Sequence, residues 1–217
     1  MAATSSLPVQ IKVCGLTRAQ DALLAASLGA NALGFIFYPA SPRSVTPAQA
    51  KAILKQVPRL VASVGVFVDT GVEEINQIAQ EVGLDRIQLH GNYTVQDQSR
   101  LQRFSYRVFR PKDATDAALV RAQPDQMLLL DAWHPEQHGG TGQTTDWGWA
   151  KDLACSEVSP GVKRQVILAG GLSPDNVAEA IRQVQPAAVD VASGVEASPG
   201  IKDPQRLHAF FQALRQA

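Results

Sequence analysis

Short apolar runs alternate with longer amphipathic segments along nearly the whole chain. The short runs are rich in valine, isoleucine and leucine, which at this length favours buried strands. They predict eight strands, at residues 11–13, 32–37, 61–67, 86–89, 106–109, 127–130, 165–169 and 188–191. The longer segments repeat apolar residues at helical spacing or are rich in alanine. They predict eight helices, at residues 19–28, 47–57, 72–82, 95–103, 116–122, 147–153, 174–184 and 204–214.

Three of the predicted helices begin with a proline that follows a capping side chain. A serine, threonine or aspartate at the N-cap accepts a hydrogen bond from the first turn, and a proline at the next position loses none. The pairs are Thr46 with Pro47, Ser173 with Pro174, and Asp203 with Pro204.

Strict alternation of eight strands and eight helices is typical of a closed (β/α)8 barrel or of an open doubly wound sheet. A doubly wound dinucleotide-binding fold carries G-x-G-x-x-G after an early strand, and the segment CGLT at residues 14–17 is no such loop. The pattern therefore favours an α/β fold with a single-domain TIM barrel. We expect a catalytic barrel over residues 11–217 after a flexible N-terminal extension over residues 1–10. The longest connection, residues 131–146, is a candidate lid.

The amino-acid composition limits the kinds of binding partner and compartment that we expect. The chain has 20 Lys and Arg against 20 Asp and Glu, so the formal net charge is zero and nothing electrostatic suggests nucleic acid or an anionic membrane. The apolar runs are far shorter than a membrane helix. Two cysteines are too few for a disulfide framework, and the start of the chain lacks the apolar stretch of a secretion signal. We expect a cytoplasmic protein, and the oligomeric state, monomer or homodimer, stays open.

Candidate chemistry lies where the strands end, because barrel enzymes place their reacting groups there. Cys14, His90 and Asp131 each follow a predicted strand. A free cysteine is more often a small buried apolar residue, but the position of Cys14 favours a functional role. No helix begins directly after Asp131 that its carboxylate could cap, so Asp131 is the stronger candidate.

Small residues follow the seventh and eighth predicted strands, where many barrels bind phosphate through backbone N–H groups. They are Gly170, Gly171, Ser193 and Gly194. A glycine pair also serves any tight turn, but two such turns together favour a phosphorylated small molecule as substrate.

A metal or cofactor is not expected. His134 and His138 lie on the glycine-rich loop rather than on one face of a helix, and no further His or Cys cluster completes a site. His208 is expected to face solvent, and no role is assigned to Cys155.

Strand alternation predicts a buried ion pair. Lys12 shares the inward face of the first strand with Cys14, and Asp190 has the same inward position on the eighth strand. Barrel closure makes these strands neighbours, and a buried charge is stable only when it is paired. We therefore predict that Lys12 and Asp190 pair beneath the site, which would keep a cation near the Cys14 thiol.

These motifs, in this order, resemble the phosphoribosylanthranilate isomerase family from residue 12 to about residue 203. The matching segments are KVCGLT at 12–17, GFIFYP at 34–39, SPR at 41–43, QLHG at 88–91, LD at 130–131, GGTG at 139–142, AGGLSPDNV at 169–177 and DVASGVE at 190–196. Residues 155–163 look like a loop longer than the family's.

The resemblance implies an Amadori rearrangement in tryptophan biosynthesis without cofactor or metal. Asp131 would be the general acid and Cys14 the general base. Arg43 would bind the anthranilate carboxylate, and His90 would be a further substrate-binding residue. The phosphate would lie at Gly170, Gly171, Ser193 and Gly194.

Three alternative functions, two enzymatic and one non-catalytic, would use the same phosphate site. An indole-glycerol-phosphate-synthase-like barrel would be expected to use lysines where this chain has Cys14 and Asp131, and a metal-dependent epimerase needs a His/Asp cluster. A non-catalytic phosphate-binding protein would need neither Cys14 nor Asp131.

Overall fold

The computed structural model describes residues 9–132 and 146–217. Eight parallel strands close into a barrel, in which β1 pairs with β2 on one side and with β8 on the other. The predicted TIM barrel is confirmed. The strands are β1 (Gln10–Val13), β2 (Ala32–Ile36), β3 (Ala62–Val68), β4 (Arg86–His90), β5 (Phe104–Phe109), β6 (Met127–Leu130), β7 (Gln165–Leu168) and β8 (Ala188–Val191).

Helices follow the strands around the outside. They are α1 (Ala19–Leu28), α2 (Pro47–Leu54), α3 (Val72–Val82), α4 (Val95–Ser99), α5 (Ala114–Arg121), α6 (Trp147–Ala154), α7 (Val177–Val184) and α8 (Pro204–Leu214). A 3-10 turn at Ser193–Val195 follows β8. Two short antiparallel ribbons stand outside the barrel and are formed by Glu157–Ser159 with Val162–Lys163 and by Glu196–Ser198 with Ile201–Lys202.

Two of the three predicted caps are present. Thr46 accepts a hydrogen bond from the Gln49 N–H with Pro47 in the first turn, and Asp203 caps α8 in the same way before Pro204.

The predicted start of the seventh helix at Pro174 is wrong, because α7 begins at Val177 after a turn over residues 174–176. The Asn176 side chain explains the difference. It donates to the Gly171 carbonyl at 2.9 Å and accepts from the Ser173 N–H at 2.8 Å, which folds the chain back before a helix can begin.

The fourth helix also ends early, at Ser99 rather than at residue 103. Asn76 of α3 accepts from the Gln102 N–H at 2.9 Å and donates to the Arg100 carbonyl at 3.1 Å. These bonds occupy the backbone groups that a longer helix would use.

Inward and outward positions alternate along the strands as predicted. Ile11 and Val13 belong to the large core between the barrel and its helices. A smaller apolar core fills the barrel interior and contains Val64, Tyr106, Val108, Leu129, Ile167 and Ala169. Residues with the inward alternation therefore reach the barrel axis, where polar groups such as Lys12 must find partners.

The predicted extension and lid fall largely outside the described residues, which exclude 1–8 and 133–145. Val9 is buried and β1 begins at Gln10. The proposed lengthened loop contains the ribbon at residues 157–163. Among the residues described, every helix is too short or too polar to cross a bilayer.

Candidate active site

A cavity of about 370 Å³ opens at the carboxyl ends of the barrel strands. That volume lies within the range of small-molecule sites. Seven of the eight residues predicted for the site contribute to its wall or rim: Cys14, Arg43, His90, Asp131, Gly170, Gly171 and Ser193. The fold thus brings together residues from six strand ends that are far apart in sequence.

Cys14 directly follows β1 and is buried on the cavity wall. A glycine on the neighbouring strand makes room for its side chain. A Cβ atom at Gly34 would lie 2.6 Å from the Cys14 sulfur and 3.1 Å from Cε of Lys12. Any larger residue at position 34 would therefore displace the thiol.

The predicted ion pair beneath Cys14 is confirmed. Lys12 and Asp190 are register neighbours on β1 and β8, and Nζ of Lys12 donates to Oδ2 of Asp190 at 2.8 Å. Burial opposes the charge of Lys12, but Asp190, Cys14 and Tyr106 together outweigh it and raise the Lys12 pKa, so the ammonium stays charged. The cavity floor therefore carries a fixed cation.

The Cys14 thiol responds to burial more than to that cation. Burial raises the pKa of Cys14, whereas the charge of Lys12, its hydrogen bond and the charge of Lys202 pull it down. Asp190 adds to the upward shift. The net direction is upward, so the thiol form predominates at neutral pH.

Asp131 follows β6 and is buried on the same cavity. Burial raises the pKa of its carboxyl group to about 6, and the Ala132 N–H, which donates to Oδ1 at 2.9 Å, opposes that rise. The nearby charge of Asp190 raises the pKa further. A carboxyl group with this pKa can donate a proton near neutral pH.

A polar network runs from the barrel interior to the cavity wall. The Tyr106 hydroxyl donates to Oε1 of Gln88 at 3.0 Å, and Nε2 of Gln88 lies 2.8 Å from Nε2 of His90. The shared inward face of Gln88 and His90 matches the predicted strand alternation. The network fixes the position of the His90 ring on the cavity wall.

Two turns of small residues meet at one side of the cavity. Gly170 and Gly171 have positive φ values of 84° and 64°, which only glycine adopts readily. A Cβ atom at Gly194 would lie 1.9 Å from the Leu172 carbonyl oxygen, so the turn after β8 packs directly on the turn after β7. Gly194 itself is not among the residues that line the cavity. Such paired turns can present backbone N–H groups to an anion.

The sequence did not predict a charged cluster beside Arg43. Glu196 binds the Arg43 guanidinium through both carboxylate oxygens, and its Oε1 also accepts from Nζ of Lys202 at 2.9 Å. Glu196 and Lys202 are buried on the ribbon that follows β8. This ribbon lies outside the strand–helix repeat, so alternation gave no signal for either residue.

The remaining candidates lie elsewhere. His208 is exposed on α8, as predicted, and Cys155 is exposed at the end of α6. His134 and His138 fall outside the described residues. Within residues 9–132 and 146–217, no group of three or more His, Cys, Asp or Glu side chains is arranged to hold a metal ion.

The arrangement can carry out proton transfer on a bound anion. A buried acid and a buried thiol share one cavity, which also has a guanidinium and two glycine-rich turns on its rim. A ligand with two anionic groups would be held at both ends while two side chains exchange protons with its middle.

Comparison with known proteins agrees with this arrangement. The family model for N-(5'-phosphoribosyl)anthranilate (PRA) isomerase matches residues 11–213. A protein from Pelobacter propionicus named N-(5'-phosphoribosyl)anthranilate isomerase is 43% identical over 208 residues, which cover 96% of each chain.

Two solved structures show the same fold. Phosphoribosyl anthranilate isomerase from Thermotoga maritima is 35% identical with a TM-score of 0.87, covering 96% of this chain and all of that one. Another phosphoribosyl anthranilate isomerase was solved in complex with reduced 1-(o-carboxyphenylamino)-1-deoxyribulose 5-phosphate. It is 33% identical with a TM-score of 0.84, and the match covers 96% of this chain and 100% of that chain.

Proposed function

Because the chain belongs to the PRA isomerase family and is an isomerase of tryptophan biosynthesis, we propose that Cys14 and Asp131 carry its acid–base chemistry. The reaction converts N-(5-phosphoribosyl)anthranilate into 1-(2-carboxyphenylamino)-1-deoxyribulose 5-phosphate. The observation that supports these roles best is that one cavity holds both groups, a thiol from β1 and a carboxyl with a raised pKa from β6. The sequence motifs predicted both residues.

Asp131 acts first, as the general acid. Its proton goes to the ring oxygen of the ribose as the bond from that oxygen to C1' breaks, and the nitrogen lone pair forms a Schiff base. A carboxyl group whose pKa is raised to about 6 is protonated often enough near neutral pH to do this, unlike an ordinary aspartate.

Cys14 acts second, as the general base. Its thiolate takes the proton from C2', and the electrons of that bond form the C1'–C2' double bond of an enolamine. Return of that proton from the thiol to C1', and of the enol hydroxyl proton to the Asp131 carboxylate, gives the ketone and restores both groups. Lys12, held charged by Asp190, stabilises the thiolate during this exchange.

The active protonation state is the less populated one. The pKa of Asp131 is about 6 and that of Cys14 is raised, so most enzyme at neutral pH holds the proton on sulfur. The active form, with that proton on Asp131, has the same total charge. The rate should therefore rise with pH through about 6, as Asp131 titrates, and fall as Cys14 titrates.

Two anion sites position the substrate. Arg43 offers a guanidinium to the anthranilate carboxylate, for which a planar donor is well suited. The turns at Gly170, Gly171, Ser193 and Gly194 offer backbone N–H groups to the phosphate. His90 contributes a further contact on the cavity wall.

Turnover tests the proposal directly, because the fluorescence of the anthranilate substrate is lost on conversion. We expect the purified chain to consume the substrate without added metal or cofactor. Cys14→Ala should lower kcat by at least about 100-fold, roughly 2.7 kcal/mol of transition-state stabilisation. The exposed thiol offers a matched control, and Cys155→Ala should retain full activity. Near-normal turnover by Cys14→Ala would remove that residue from the mechanism.

Ligand fragments test the two anion sites separately. Arg43→Ala should weaken anthranilate-bearing ligands far more than ribose 5-phosphate, whereas Gly171→Val should do the reverse. Gly83→Val changes a glycine of similar positive φ, 80°, that ends α3 instead, and it controls for backbone strain. Equal losses for both fragments in both variants would contradict the two-site picture.

A further inference from the structure

One buried carboxylate connects the two cations nearest the anion sites. Oε1 of Glu196 accepts from Nε of Arg43 at 3.0 Å, from Nζ of Lys202 at 2.9 Å and from the Gly200 N–H at 3.3 Å. Oε2 accepts from Nη2 of Arg43 at 2.7 Å. This carboxylate therefore joins Arg43, which lines the cavity, to Lys202 and to the backbone of Gly200.

The hydrogen bonds from Arg43 to Glu196, the first branch of this network, fix the Arg43 guanidinium before any ligand binds. Nε and Nη2 are both held by Glu196, so the orientation of the guanidinium plane is set. Packing restricts the stem as well, since a Cβ atom at Gly15 would lie 2.8 Å from Cδ of Arg43. An arginine held in this way loses little further freedom when it binds a carboxylate.

The hydrogen bonds that run from Glu196 through Lys202, the second branch of the network, support the turn after β8. Nζ of Lys202, besides its bond to Glu196, donates to the Ala192 carbonyl at 3.0 Å. Ala192 lines the cavity and directly precedes Ser193 of the phosphate turn. Burial favours loss of the Lys202 proton and lowers its pKa, while Glu196 favours the charged form that makes this bond.

We propose that Glu196 is a positioning residue that couples the two ends of the substrate site, holding Arg43 for the anthranilate carboxylate and, through Lys202, the turn that binds the phosphate. The inference rests on the proposed function, which assigns those two anions to those two places. It assigns Glu196 no contact with the reacting atoms.

Charge and position predict opposite results for Glu196→Gln, which makes the variant decisive. Removing the carboxylate makes the site more positive, and electrostatics alone would tighten the binding of an anion. Loss of the hydrogen bonds from Glu196 would leave Arg43 and Lys202 less firmly positioned, which would weaken the binding of the anion. We expect about tenfold weaker binding of reduced 1-(o-carboxyphenylamino)-1-deoxyribulose 5-phosphate, the size of one charged hydrogen bond, and KM to rise more than kcat falls.

Three variants separate the branches when anthranilate and ribose 5-phosphate are titrated by calorimetry. Arg43→Ala should weaken anthranilate alone, Lys202→Met should weaken ribose 5-phosphate alone, and Glu196→Gln should weaken both. Glu196→Asp keeps the charge but shortens the side chain by one methylene, so it should resemble Glu196→Gln in binding while remaining easier to fold.

The outcomes distinguish this inference from the proposed function. If the wild-type chain neither turns over the substrate nor binds the reduced product, the proposed function fails. If it does both, and if Glu196→Gln or the folded Glu196→Asp binds both fragments as tightly as wild type or weakens only one of them, the coupling role of Glu196 is overturned.

Discussion

Two largely buried arginine–carboxylate pairs in this barrel have nearly the same geometry and different surroundings. Arg43 with Glu196, and Arg107 with Asp125, both form two-pronged contacts. The side chains are 12% and 4% exposed in the first pair and 10% and 2% in the second. Burial and pairing alone would not tell the two apart.

Their other contacts differ. The Arg107 guanidinium also donates to the Tyr93 carbonyl and to Oε1 of Gln123, each at 3.0 Å, and it stacks 5.1 Å from the centre of the Phe109 ring. All three of its nitrogens therefore donate to protein acceptors. Arg43 instead lines the cavity, and its carboxylate partner is shared with Lys202.

The comparison shows how one chemical pair serves two purposes. A pair whose donors all have protein partners stabilises the fold and has nothing to offer a ligand. A pair that borders a cavity keeps donor capacity for a ligand. The partners that complete the network therefore separate a structural arginine from a binding one.

The largest effect on stability is expected at the pair of Arg107 and Asp125, here called the saturated pair because every nitrogen of its guanidinium has a protein partner. Arg107→Met leaves the buried Asp125 carboxylate unpaired and should destabilise the fold by about 3–5 kcal/mol. The variant should retain kcat/KM within about twofold below its melting temperature, because Arg107 lies outside the cavity. Denaturant unfolding and the fluorescence assay measure the two effects. A large loss of kcat/KM in the folded variant would contradict the division between the pairs.

Asp131→Asn should stabilise the fold above pH 6. Burial raises the carboxyl pKa from its ordinary 3.8 to about 6, so between those values the native state holds an extra proton and stability falls as pH rises. Above about pH 6 the native state carries the full free-energy cost of burying the ionised Asp131 carboxylate. Replacement by a neutral amide should therefore gain about 1–3 kcal/mol at pH 7.5.

The gain from Asp131→Asn should shrink as the pH falls through that window, because the wild-type carboxyl then becomes neutral too. Urea unfolding at pH 7.5 and at pH 5 measures the difference. A gain that is equal at both values, or absent at pH 7.5, would mean that burial does not shift this carboxyl.

Lys12→Met is expected to change the pH dependence of kcat/KM, with a smaller effect than the substitutions above. Loss of the cation raises the Cys14 pKa further, since burial is then opposed only by the weaker influence of Lys202. The basic limb of the kcat/KM profile should move upward by about one unit, and the maximum should fall about tenfold as the active protonation state becomes rarer. The acidic limb, set by Asp131, should move much less. An unchanged basic limb would show that Lys12 does not influence the thiol.

The sequence could predict what strand alternation and barrel closure determine. The inward positions of Lys12, Cys14 and Asp190 follow from alternation on two strands that must be neighbours, and the pairing of Lys12 with Asp190 is confirmed. Glu196 and Lys202 lie on an irregular ribbon after β8, where no periodic pattern gives direction.

Local side-chain contacts account for the wrong helix start. Pro174 has the sequence features of a first helical residue, but Asn176 ties the backbone of Gly171 to that of Ser173 and delays the helix. A long-range pattern of apolar residues carries no information about such a bond. The predicted lid lies outside the described residues and stays a prediction.

The most direct test is kcat for two matched carboxylate-to-amide substitutions, Asp131→Asn at the cavity and Asp125→Asn in the saturated pair. Asp131→Asn should lower kcat at least about 100-fold, the scale of a lost general acid, while Asp125→Asn should stay within about twofold of wild type. Both residues are buried to the same extent, 8% exposed, so burial cannot explain a difference. Equal kcat values for the two folded variants would show that Asp131 is not the general acid.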